Sequence, residues 1–68
     1  MSYKRIAGLV AGKALPLAGR NEHGETVTIE GGSSNGRRFF RVTTAQSNNW
    51  CRVNTYYENG DSEETCRR

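Results

Sequence analysis

The stretch Trp50-Cys51-Arg52-Val53-Asn54-Thr55-Tyr56-Tyr57-Glu58-Asn59-Gly60-Asp61-Ser62 decides the fold class. From Trp50 to Tyr57 it is rich in aromatic and β-branched residues, which suit a pleated, half-buried surface. It then reaches Asn59-Gly60, where both residues tolerate positive φ, so the pair predicts a two-residue hairpin turn. A further strand follows from Ser62 to Arg68. Upstream, Arg38-Phe39-Phe40-Arg41-Val42-Thr43-Thr44 reads as a strand, and Gln46-Ser47-Asn48-Asn49 supplies polar turn residues. Further upstream, Glu25-Thr26-Val27-Thr28-Ile29-Glu30 alternates with period two, placing Val27 and Ile29 on one face. Gly31-Gly32-Ser33-Ser34-Asn35-Gly36 between them reads as a flexible connector. The sequence from Glu25 onward is therefore four antiparallel strands in order.

The N-terminal quarter admits two readings. Ile6, Leu9, Val10 and Ala14 lie near helical spacing, but Gly8 and Gly12 each cost a helix interior about 1 kcal/mol relative to Ala. Pro16 stops any continuation. As strands, Leu15 and Leu17 share a face and Pro16 points outward at an edge. The weak helix propensities favour strands over residues 4–15. The expected fold is all-β: a four- to six-stranded antiparallel meander forming a small open barrel or curled sheet, in one domain spanning residues 1–68. The alternative is a short N-terminal helix packed on a four-stranded antiparallel sheet.

Sixty-eight residues, 34% of them hydrophobic, leave little to bury. A chain of this size buries only about 60% of its unfolded surface. There is no room for a cofactor-binding α/β domain, and no window is apolar enough to span a bilayer. Gly8, Gly12 and Lys13 interrupt any signal-peptide apolar region. Two cysteines are fewer than a secreted mini-domain of this length carries. A cytoplasmic protein with no membrane partner and reduced thiols is the expectation.

Register follows from the turns. If Gln46 pairs with Asn49, then Val42 faces Val53, Phe40 faces Thr55, and Phe39 faces Tyr56. The Asn59-Gly60 turn sets Val53 against Cys66. One face then carries Phe40, Val42, Thr44, Cys51, Val53, Thr55 and Cys66, nearly uncharged, and is the expected core. Cys51 and Cys66 sit diagonally on it, about 7 to 8 Å apart, which suits buried free thiols better than a disulfide. The other face alternates arginine with aromatics: Phe39, Arg41, Trp50, Arg52, Asn54, Tyr56. A slip of one residue exchanges the faces, so the assignment depends on even-numbered loops.

No catalytic or metal constellation stands out. His23, in Asn21-Glu22-His23-Gly24-Glu25, reads as a solvated turn histidine. Two cysteines fifteen apart and one remote histidine do not make a zinc site. The Gly31–Gly36 stretch lacks the Lys-Ser/Thr ending of a phosphate loop. The chain is expected to be non-enzymatic and to need no cofactor. Four arginines and no acid lie between Arg37 and Tyr57, while Glu58, Asp61, Glu63 and Glu64 follow with no base among them. Arg37, Arg38, Phe39, Arg41, Trp50, Arg52, Asn54 and Tyr56 are accordingly the candidate binding residues. Arginines track a phosphate backbone while aromatic rings stack bases. The same residue types form protein–protein hot spots. Nucleic acid is the first expected partner. A host protein is the second, with the chain acting as an inhibitor or adaptor that blocks it by occlusion, as small phage or mobile-element accessory proteins do.

Overall fold

A computed structural model describes residues 2–45 and 50–67. One helix, α1 (Tyr3–Val10), precedes five strands: β1 (Leu17–Arg20), β2 (Thr26–Ser34), β3 (Arg37–Ala45), β4 (Cys51–Tyr57) and β5 (Ser62–Arg67). The strands form one antiparallel sheet in the order β1-β2-β3-β4-β5. The expected meander is present, with five strands. The sheet stays open and uncurled, so no barrel forms.

The preference for strands over residues 4–15 is corrected: Tyr3–Val10 is helical. Ser2 caps it, its hydroxyl oxygen accepting from the Arg5 N–H at 3.3 Å, and Gly12 at φ +76° lies just past its end. Eight residues with an internal glycine do not hold a helix by propensity. Tertiary burial overrides it. Ile6 and Val10, one turn apart, bury against Val42 on β3, and the Tyr3 ring lies 4.8 Å from the Phe40 ring. Leu17, Val27, Ile29, Phe40 and Tyr56 complete this core.

The expected two-residue turn at Asn59-Gly60 is also corrected. Positive φ at both central residues occurs instead at Asn35 (52°) and Gly36 (79°), inside the stretch read as a flexible connector. That stretch belongs to a tight hairpin, with Ser34 paired to Arg37. At the β4–β5 connection three residues, 58–60, are enclosed. Gly60 (φ +99°) donates to the Tyr57 carbonyl at 3.0 Å, and Tyr57 donates to the Asp61 carbonyl at 2.8 Å. A turn closed by one left-handed glycine is the three-residue hairpin form. The Gln46–Asn49 turn lies outside the described residues. With Ala45 paired to Cys51, five residues separate the strands there.

Both enclosed lengths are odd, and the register moves accordingly. Phe39 pairs with Tyr57, Phe40 with Tyr56, and Val42 with Asn54, one residue away from the expected pairing. Arg52 pairs with Cys66. The observed register places both phenylalanines opposite both tyrosines, whereas the expected one matched Phe40 with Thr55. Aromatic cross-strand pairs contribute roughly 0.2–1 kcal/mol each, which favours the observed choice.

Two outcomes test this account. Ile6 is fully buried, and Ile6→Ala should cost about 2–5 kcal/mol by urea or thermal unfolding. That is enough to unfold most of so small a domain, and a cost near zero would remove the helix from the core. At the β2–β3 turn, Gly36→Val should cost about 1–2 kcal/mol, the penalty of left-handed backbone for a residue with a Cβ. An unchanged melt would mean the turn is not formed.

Candidate functional site

Strand alternation assigns each candidate residue to a face. The face under α1 carries Phe40, Val42, Asn54 and Tyr56. The opposite face, which nothing among the described residues covers, carries Arg37, Phe39, Arg41, Thr43, Cys51, Val53, Thr55 and Tyr57.

The expected binding set is therefore divided. Arg37, Phe39 and Arg41 stand together on the uncovered face. Arg38, Arg52, Asn54 and Tyr56 belong to the other side of the sheet. Tyr56 is half-buried, packed against the core. Trp50 is half-buried just before β4, with the Arg52 guanidinium 5.3 Å from its ring, and Arg52 is tied to Glu64 at 3.4 Å. The thiols are corrected as well. Cys51 is half-buried on the uncovered face and Cys66 is exposed on the other, so they share neither a face nor a core. Thr55, expected in the core, is buried on the uncovered face. Its register neighbours there, Arg41 on β3 and Glu63 on β5, flank it with long side chains.

What the structure assembles is a cluster across β3 and β4 that sequence reasoning found only in part. The Phe39 and Tyr57 rings meet edge to face at 5.8 Å. The Arg41 guanidinium lies 5.2 Å from the Phe39 ring centre, and that of Arg37 lies 4.2 Å from the Tyr57 ring centre. Cations over aromatic faces at these distances contribute about 0.5–1 kcal/mol at exposed sites. Asp61 holds Arg37 at 3.1 Å, and Glu30 stands opposite Arg41 in the register.

Gly32 gives the Phe39 ring its seat. A Cβ there would lie 2.7 Å from the ring's Cζ, so only glycine lets the ring lie down on β2. Tyr57 is the residue that sequence reasoning missed on this face. The signal that could have found it was the doublet Phe39-Phe40 facing the doublet Tyr56-Tyr57.

The arrangement offers stacking surface, positive charge and hydroxyls. Among the described residues, no three His, Cys, Asp or Glu side chains gather in a metal-holding group. His23 lies in a turn ordered by Asn21, whose side-chain oxygen accepts from the His23 and Glu25 N–H groups at 3.0 Å each. Among the described residues, no helix is long and apolar enough to cross a membrane. No protein-family model, no curated protein and no solved structure matches the chain.

The thiol positions give a direct check on the two faces. In the folded protein Cys66 should react with a maleimide well before Cys51. Mass spectrometry of partially labelled protein would read the order, and equal protection of both would restore the shared-core placement.

Proposed function

We propose that this chain is a non-enzymatic binding protein that holds single-stranded nucleic acid on its uncovered sheet face. The observation carrying this reading is the Phe39–Tyr57 pair bracketed by Arg41 and Arg37. Bases stack on aromatic faces without regard to sequence, and neighbouring arginines neutralise the backbone between them. An antiparallel sheet with aromatics on adjacent central strands is a physical platform of this kind. Its flat, open form suits extended single strands, because no wall closes around a smaller ligand. The free thiols agree with a cytoplasmic setting, where such a partner is available.

A second reading is favoured by one observation. The face is of mixed charge: Asp61 pairs with Arg37, and Glu30 and Glu63 stand beside Arg41 and Thr55. These acids repel phosphate but complement a protein surface. On that reading the same aromatics anchor a host protein, and the chain acts as an inhibitor or adaptor.

Substitution separates the two. On single-stranded DNA or RNA, Phe39→Ala and Tyr57→Ala should each weaken binding by about 1–3 kcal/mol, roughly 5- to 150-fold. Arg41→Ala should lower the slope of log K against log salt by about 0.7, the value for one phosphate contact on a single strand. Arg52→Ala, on the other side of the sheet, is the control and should change little. If wild-type protein shows no salt-dependent retardation of any oligonucleotide, the nucleic-acid reading fails and the protein partner takes its place.

A further inference from the structure

β5 (Ser62–Arg67) is a sheet edge six residues long. Its described side chains, Ser62 to Cys66, are all exposed, and it contains no proline. The Tyr57 N–H donates to the Asp61 carbonyl, which fixes the alternation beyond it. Residues 63, 65 and 67 turn their backbone groups toward β4. Ser62, Glu64 and Cys66 turn theirs outward, leaving an unpaired row of donors and acceptors. Native proteins usually block such an edge with charged side chains, short length, bulges or proline. Here the charges are segregated along the strand: Glu63 and Glu64 at its start, Arg67 at its last position.

We infer that β5 pairs antiparallel with β5 of a second copy of this chain, joining the two sheets across a two-fold axis. Antiparallel self-pairing inverts the order of charges. With Thr65 opposite Thr65 on the axis, Glu63 of each copy stands opposite Arg67 of the other. Opposite charges and Thr–Thr pairs in cross-strand positions both stabilise a sheet. Parallel pairing in register would instead set Glu against Glu. The outward groups of Glu64 and Cys66 exchange hydrogen bonds with those of Cys66 and Glu64 across the junction, so the backbone and side-chain registers agree. Directly opposed residues share a face, so the axis is perpendicular to the sheet. The two uncovered faces then merge into one surface of a ten-stranded sheet, five strands from each copy. Each copy also gains ladder bonds where its own buried set is small. The pairing does not rest on the proposed nucleic-acid role and holds whichever ligand the face takes.

Sedimentation of the full chain over a concentration series tests the pairing. A concentration-dependent species of twice the 7.6 kDa chain mass is expected. Glu63→Arg opposes like charges twice across the axis and should raise the dimer dissociation constant at least tenfold. The exchange Glu63→Arg with Arg67→Glu should restore it, which separates a broken interface from a broken fold. Cys66→Pro removes an outward N–H that β4 does not use, and should also favour the monomer. Register is read by Thr65→Cys in a Cys51→Ser, Cys66→Ser background. A closely opposed pair near 4.5 Å between Cα atoms lies within disulfide reach, so mild oxidation should trap a covalent dimer. A chain that stays monomeric throughout overturns the inference. So does a dimer that survives Glu63→Arg and Cys66→Pro and does not crosslink through position 65.

Discussion

The pairing of Phe39-Phe40 with Tyr57-Tyr56 is the constraint from which the other features follow. Two aromatic doublets on adjacent antiparallel strands can be set opposite one another in one register, and that register sends one pair to each side of the sheet. Phe40 and Tyr56 go under the helix, where Tyr3 adds a third ring. Phe39 and Tyr57 go to the uncovered side, where Arg41 and Arg37 lie over them. The connections adapt to this choice: three residues are enclosed at one end of β4 and five at the other. The core and the candidate binding cluster are thus two consequences of one interaction.

A single sheet with one short helix can seal only one of its faces. Ile6, Val10 and Val42 are the buried apolar side chains among the described residues. Burial of a Val- or Ile-sized side chain is worth about 1.5–3 kcal/mol. The helix is therefore indispensable to the sheet, and the sheet to a helix too short to persist alone. The uncovered face compensates differently. Arg41 and Glu63 flank Thr55 in the register, and arginines lie over the Phe39 and Tyr57 rings, so its apolar surface is shielded by charged side chains that water still reaches. A ligand on that face meets stacking surface and guanidinium groups already in place. Its acids, Glu30, Asp61 and Glu63, set a limit on how strongly a polyanion is attracted.

The sequence alone determined the antiparallel meander, because period-two alternation and turn residues recur at short intervals and sequential hairpins are then the simplest connection. It also determined the types of residue available for binding, and the placement of Phe39 and Arg41 on a face away from Val42, since alternation within one strand is local. The helix over Tyr3–Val10 was not decided locally: its propensities are poor, and burial of Ile6 and Val10 against Val42 is what forms it. Nor was the face of β4, because a turn's length in residues is not written in its composition. Asn59-Gly60 closes a three-residue loop and Asn35-Gly36 a two-residue one, though the dipeptide is the same. At the β3–β4 connection five residues are enclosed where an even number was expected, and that difference moved Arg52, Asn54 and Tyr56 to the helix side and brought Tyr57 to the open one. β5 kept its expected face because its own slip cancelled that of β4. Tertiary structure decided these points because register in a sheet is chosen by the best sum of cross-strand pairs, an energy that belongs to two strands at once.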